Sequence, residues 1–438
     1  MYSEGVPPSE PPRRYGFATL AIHGGTEPDP ATGARAIPVY LSSSFVFQSP
    51  EHSARLFSLE EEGFIYSRIS NPTVRAVERR LSLLEGGVDA VLTASGQSAL
   101  ALALLTLARA GDEIVASPFL YGGTYSLLAN LLPCYGIQTR FTESLDPEEF
   151  AARITPRTKA VLLESVGNPS LLLPDLREIA AVAHARGVPV VVDNTFPTPY
   201  LYRPLEFGAD IVVHSATKWL SGNGTIIAGA VVDGGRFSWP EERFPEFHTP
   251  DDSYHGLVFS QAFGAAAFSA RLRAVALRDF GPAVSPANAF LLGLGMETLP
   301  LRMERHVANA RAVAAFLREH PDVSWVNFPE FPEHPSHQIQ RRDFPRGATS
   351  VVTFGLRGGK RHAEEFLRHV RLHSHLANVG DAKSLLIHPA STTHGQLSEE
   401  ELRSAGVLPE MIRLSVGLED VDDIVWDLDQ ALRKARKA

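Results

Sequence analysis

The 438-residue chain holds a single cysteine, Cys134. One thiol excludes an internal disulfide and a cysteine-based zinc site, and it fits a reduced, cytoplasmic setting. Cys134 itself reads as a small core residue. The formal net charge is −9, and no basic run marks out a polyanion groove, so no nucleic-acid partner is expected. No apolar stretch reaches about 18 residues, and no membrane span is expected. Met1 to Arg14 is proline-rich, lacks the apolar core of a signal peptide, and reads as a loose tail. His373, His375, His388 and His394 lie close in sequence, but no HExxH-type spacing joins them, so no metal is expected. A GxGxxG fingerprint is also missing after the first strand of the alternating region, which weakens a nucleotide-binding oxidoreductase reading.

What is present points to an α/β protein. Hydrophobic residues make up 44% of the chain, ample for a core, and the length suits two or three domains or one large α/β domain with additions. Residues 1–65 read as an N-terminal tail and arm, with Pro38 to Phe47 extended in character. A helix follows Asn71-Pro72-Thr73, with apolar residues at Val74, Val77, Leu81 and Leu84 and a stop at Gly86-Gly87. Over residues 66–270, short apolar runs alternate with helical stretches. The runs are Ala90–Thr93, Glu113–Ala116, Ile137–Phe141, Ala160–Glu164, Val188–Asp193, Ile211–His214 and Ile226–Val232. That alternation predicts βαβ units and a mainly parallel sheet with helices on both faces. Past 270 longer helical segments and strands near Ser350–Phe354 and Arg413–Val416 predict a smaller C-terminal α/β domain over 271–438.

In an open parallel sheet, ligands sit at the carboxyl ends of the strands. Several chemistry-bearing residues fall there. Lys218 follows Ile211–His214 with hydroxyls on either side, at Ser215 and Thr217. A desolvated amine beside an anion site suits Schiff-base chemistry on pyridoxal phosphate; the alternative is a surface lysine that ends a strand. Ser95, Gly96 and Gln97 stand between a strand and a helix, where a phosphate can meet backbone N–H groups, unless Ser95 is only an ordinary cap. Asp193 ends its strand and can pair with a protonated pyridine nitrogen or serve as a turn carboxylate. Glu164 and Asn168 close another strand at the same edge. Tyr121, before Gly122-Gly123, can stack on a flat cofactor or merely start a helix. Arg413, in a strand of the second domain, suits a carboxylate or phosphate, with a structural ion pair as the alternative.

These residues together carry a family likeness. The signature is Asp193-Asn194-Thr195 followed by Asp210 to Thr225 with Lys218 inside, supported by Tyr66-Ser67-Arg68 and Arg413-Leu414-Ser415-Val416-Gly417-Leu418-Glu419. From about Thr19 to the C-terminus the chain resembles the Cys/Met-metabolism pyridoxal-phosphate enzymes of fold type I. Leu376 to His394, with Asn378-Val379-Gly380-Asp381-Ala382-Lys383-Ser384 at its centre, is similar to the O-acetylhomoserine sulfhydrylase branch, as is Gly281 through His306. Gly123 stands where methionine γ-lyases carry cysteine, Lys383 where cystathionine-handling branches carry Glu, and Asn223 where His is more usual.

The resemblance implies a fold type I α/β architecture and γ-replacement of O-acetylhomoserine by sulfide, with γ-lyase or cystathionine γ-synthase activity as the alternative. It implies pyridoxal 5′-phosphate as cofactor, held covalently by Lys218. Ser95, Gly96, Gln97, Ser215 and Thr217 would hold its phosphate. Asp193 would face the ring nitrogen, Asn168 the ring hydroxyl, and Tyr121 would stack on the ring and share in catalysis with Lys218. Asn378 and Arg413 would bind the substrate carboxylate. Tyr66 and Arg68 would reach the phosphate from a neighbouring subunit, in a homotetramer built from dimers that share their active sites. A protein that kept the fold without catalysis is the remaining alternative.

Overall fold

The computed structural model describes residues 14–392, 395, 402 and 406–436. Most of the N-terminal tail, and His394 of the histidine group, lie outside the described residues. Seven strands form the larger sheet: β1 (Asp89–Thr93), β2 (Glu113–Ala116), β3 (Gln138–Phe141), β4 (Thr158–Glu164), β5 (Val190–Asp193), β6 (Ile211–His214) and β7 (Gly229–Asp233). Their order is β1-β7-β6-β5-β4-β2-β3. Strands β6, β5, β4, β2 and β3 run parallel, and β7 alone is antiparallel to both its neighbours. The carboxyl ends of β1, β2, β4, β5 and β6 therefore share one edge.

Both faces of this sheet are buried, as its nearly unbroken apolar strands require. Val190, Val192, Val161 and Leu163 join one core with the helices Pro72–Glu85 and Leu176–His184. Their strand neighbours Val191, Ala160 and Leu162 join another core with the helix Gly96–Leu107. Each fully buried Val or Leu contributes about 1.5–3 kcal/mol, so both faces pin the register of the strands that end at the shared edge.

The smaller sheet has five strands: β8 (Val323–Asn327), β9 (Val351–Leu356), β10 (Ser374–His375), β11 (Leu385–Ile387) and β12 (Met411–Ser415), in the order β10-β11-β12-β9-β8. It is antiparallel apart from the β10–β11 pair. The segment expected to open the C-terminal domain packs elsewhere. Leu272 and Leu277 lie in one core of the larger sheet, and Ala289, Leu292 and Met296 of the helix Pro286–Glu297 lie in the other. The helix Leu299–Glu319 spans both units. Leu299 and Met303 pack with the larger sheet, and Ala310, Val313 and Leu317 with the smaller one. Cys134 is exposed rather than in the core, because it sits on a short surface turn, Leu132–Tyr135. Among the described residues no helix is long and apolar enough to cross a membrane, and no group of side chains has the make-up of a metal site.

Candidate active site

One cavity of about 280 Å³ opens at the shared strand edge. Residues from the larger sheet form its floor, and Asn378 and Arg413 close it from the smaller one.

At one end stands the N-terminus of the helix Gly96–Leu107. Ser95 caps it reciprocally with Ser98, the Ser95 hydroxyl accepting from the Ser98 amide at 3.1 Å. Close backbone approach needs glycine here. A Cβ on Gly96 would stand 2.7 Å from Ser215 Cβ, and one on Gly229 only 2.0 Å from the Ser95 carbonyl oxygen. The Thr217 hydroxyl donates to the Ala228 carbonyl at 3.2 Å and accepts from its amide at 3.1 Å, which fixes the loop carrying Ser215 and Thr217. Gln97 donates to the Gly123 carbonyl at 3.0 Å. A helix N-terminus flanked by hydroxyls suits a phosphate.

The floor carries two carboxylates, Glu164 buried and Asp193 half-buried. Asp193 accepts from the Thr195 amide at 2.9 Å and the Thr195 hydroxyl at 2.5 Å. Burial pushes its pKa up, while Thr195 and His214 pull the other way. Glu164 accepts from the Tyr121 amide at 2.6 Å and the Asn168 amide at 3.1 Å. Its pKa is raised well above the ordinary range, by burial first and then by Asp193, against the pull of those two amides.

Lys218 lines the same cavity. Burial, and next the charge of Arg413, bring its pKa down to about 8. Its ammonium donates to the Asn378 side-chain oxygen. Arg413 is 4% exposed. It donates to Asn168 Oδ1 at 2.9 Å and to the Asn378 carbonyl at 3.4 Å. Burial lowers its pKa to about 10, which leaves it charged at neutral pH. Tyr121 forms part of the rim and is 42% exposed. Its ring folds back over Gly123, where a Cβ would come within 2.5 Å of it.

The cavity thus gathers Ser95, Gly96, Gln97, Tyr121, Asn168, Asp193, Ser215, Thr217, Lys218, Asn378 and Arg413. Tyr66 and Arg68 are not brought to it within the chain; their guanidinium and ring face each other at 5.2 Å, with Tyr66 exposed. Glu164, Thr195, Phe196 and Ile227, to which the sequence assigns no role in the site, also line the cavity. A hydroxyl two residues past a strand-end Asp is the turn signal that marks Thr195.

The residues fit pyridoxal phosphate. The cradle between Gly96 and Ser215 is one that a Cβ would fill, and the desolvated lysine, the half-buried Asp193 and the exposed tyrosine ring supply the remaining donor and stacking groups.

Comparisons with known proteins agree. The chain is 52% identical to O-acetyl-L-homoserine sulfhydrylase 1 of Thermus thermophilus, covering 95% of this chain and 99% of that one. It is 50% identical to the homocysteine synthase of Schizosaccharomyces pombe, over 96% and 98% of the two chains. A crystal structure of a putative O-acetylhomoserine (thiol)-lyase from Campylobacter jejuni, containing pyridoxyl-lysine monophosphate, superposes with a TM-score of 0.93 at 38% identity. That match covers 96% of this chain and all of the other. Residues 18–433 match the model of the Cys/Met metabolism PLP-dependent enzymes, and the chain belongs to that family, whose cofactor is pyridoxal phosphate.

Proposed function

We propose that the protein is an O-acetylhomoserine sulfhydrylase, converting O-acetyl-L-homoserine and sulfide to L-homocysteine and acetate. The observation that carries this reading is the placement of a desolvated Lys218 and a buried Arg413 on one cavity, with Asp193 on its floor. Similarity to sulfhydrylases and homocysteine synthases over nearly the whole chain supports the choice of reaction.

Pyridoxal phosphate, when bound, supplies the electron sink that lets a proton leave carbon next to the substrate's amino group. The protein's side chains do the rest. Ser95, Gly96, Gln97, Ser215 and Thr217 would hold the phosphate at the helix N-terminus. Asp193, kept in place by Thr195, would face the ring nitrogen, and Tyr121 would stack on the ring. Asn168 would present its amide to the ring hydroxyl while its oxygen holds Arg413. Arg413 and Asn378 bind the substrate carboxylate.

Lys218 would hold the cofactor and would serve as the base at the substrate's Cα. An amine with a pKa near 8 is partly neutral at working pH, so its nitrogen takes the Cα proton and later returns it. A second proton leaves Cβ so that acetate departs from Cγ with the C–O bond electrons; sulfide then forms the new C–S bond at that carbon, and protons return to Cβ and Cα.

Tyr66 and Arg68 complete the phosphate site of a second copy. The arm around them is apolar and open, with Leu41 75% and Val46 97% exposed. Such a surface suits burial against another subunit, so the active protein is a homo-oligomer whose copies share their sites.

The test is direct. Lys218→Ala loses the cofactor's visible absorption and turnover; a variant that keeps both refutes the assignment. Offering sulfide, cysteine or water with O-acetylhomoserine then separates sulfhydrylase from cystathionine γ-synthase and γ-lyase activity by product.

A further inference from the structure

The helical turn that carries Lys218 ends abruptly. The Gly222 amide donates to the Lys218 carbonyl at 2.8 Å, and the chain then leaves the turn at Gly222, whose φ is +74°. No further turn follows to satisfy the carbonyls of Trp219 and Leu220. Arg302, from the helix Leu299–Glu319, does so instead. Its Nη1 donates to the Trp219 carbonyl at 2.7 Å, and its Nη2 to the Leu220 carbonyl at 3.3 Å and the Gly295 carbonyl at 2.6 Å. Nε reaches the Thr298 hydroxyl at 3.2 Å.

This arrangement is costly. Arg302 is only 9% exposed. Burial alone shifts its pKa, down to about 10, with no carboxylate acting against it. A buried cation held by carbonyls and a hydroxyl is a poor choice for stability. The chain nevertheless makes room for it with glycine. A Cβ on Gly222 would stand 2.1 Å from Arg302 Nη1, and one on Gly295 only 2.3 Å from the Ser221 carbonyl. The same helix also grips the chain just past Arg413. His306 meets the Val416 carbonyl at 2.7 Å, and Asn309 donates to the Gly417 carbonyl at 3.0 Å.

We propose that Arg302 is a positioning residue for the reaction. By holding the Trp219 and Leu220 carbonyls it fixes the turn from which the Lys218 side chain departs. Its helix keeps that turn in register with the strand of Arg413, so the base and the carboxylate anchor stay matched across the cavity. The inference rests on the reading of Lys218 as the residue that binds the cofactor and moves the proton.

The experiment compares holoenzyme of the wild type, Arg302→Met and Arg302→Lys. It measures kcat, KM, the pH midpoint of the cofactor's visible absorption, and the peptide labelled after borohydride reduction. For Arg302→Met, kcat falls on the order of 100-fold through misplacement of the base, while KM stays within about twofold. The absorption midpoint moves and the label remains on Lys218. Arg302→Lys, which restores a donor but not the fork, recovers about tenfold of the loss. Wild-type kcat and midpoint in Arg302→Met overturn the inference even if the melting temperature drops. Should Arg302→Met fail to fold, the same two wild-type values in Arg302→Lys overturn it. A wild-type enzyme with no label on Lys218 overturns the underlying assignment, and this inference with it.

Discussion

Asn168 and Arg413 stand 245 residues apart in sequence and meet at 2.9 Å, the asparagine oxygen accepting from the guanidinium. One follows a strand of the larger sheet and the other lies in the smaller sheet, so this contact ties the two halves of the cavity together. Arg413→Ala removes a buried, charge-assisted donor worth about 1.5–3 kcal/mol. KM for O-acetylhomoserine rises roughly 10- to 100-fold, with the smaller change in kcat, because the carboxylate it anchors does not react. Steady-state kinetics decide it, and an unchanged KM removes Arg413 from the substrate site. Asn168→Ala costs about 1–3 kcal/mol of stability on top of activity, since it strips a buried cation of one acceptor.

The residues at strand ends were legible from sequence for a plain reason. Unbroken apolar runs predict parallel strands, and parallel strands predict one shared edge. Asp193, Lys218, Asn168 and Tyr121 could be placed on a common cavity without coordinates. Arg302 could not. It lies 84 residues beyond Lys218 on a helix whose sequence looks like any other, and only packing reveals that its guanidinium ends a turn. Glu164 was placed at the correct edge, but a carboxylate whose partners are backbone amides leaves no pattern in side-chain identities. The helix Pro286–Glu297, expected with the C-terminal domain, packs in a core of the larger sheet, because periodicity tells that a face is apolar, not which sheet will cover it. The shortest strands, β10 and β11, are below the length at which alternation can be read.

The lowered pKa of Lys218 predicts how the cofactor-free protein responds to pH. In the unfolded chain the amine titrates near 10.5, and in the fold near 8. Between those values the unfolded state binds more protons, so stability rises with pH across that window. Below about pH 8 the lysine is charged in both states and the full burial penalty is present. Lys218→Met removes that penalty and stabilises the cofactor-free protein at pH 7 by on the order of 3 kcal/mol, less whatever the lost bond to Asn378 contributes. The gain shrinks toward zero by about pH 10.5. Melting temperatures of the two proteins across that range test this, and a gap that does not narrow contradicts it.

Glu85 and His214 form a sealed pair beneath the same edge, 2.6 Å apart with neither side chain exposed to water. Asn194 donates to the same Glu85 oxygen at 3.0 Å and accepts from the Ser165 hydroxyl at 2.7 Å. The group thereby pins the ends of β4, β5 and β6 to the helix Pro72–Glu85. Removing one member leaves buried polar atoms without partners, which costs about 3–5 kcal/mol. Glu85→Leu therefore lowers stability by that amount in urea denaturation. Glu85→Leu combined with His214→Leu loses less than the sum of the two single changes. Strict additivity would show that the two side chains do not interact.

Two glycines at the cavity separate a rigid neighbour from a movable one. A Cβ on Gly96 would press on Ser215 Cα at 2.8 Å, which is backbone and cannot swing aside. Gly96→Ala therefore spreads the phosphate cradle and weakens cofactor binding by about tenfold or more, at a cost of about 1–3 kcal/mol from overpacking. At Gly123 the neighbour is the ring of Tyr121, which is 42% exposed and free to turn outward. Gly123→Ala leaves stability within about 0.5 kcal/mol, yet displaces the stacking ring and lowers kcat/KM about tenfold. Titrating apoenzyme with pyridoxal phosphate and measuring turnover distinguishes the two positions. If Gly123→Ala were fully active with unchanged cofactor absorption, the ring of Tyr121 would have no part in holding the cofactor.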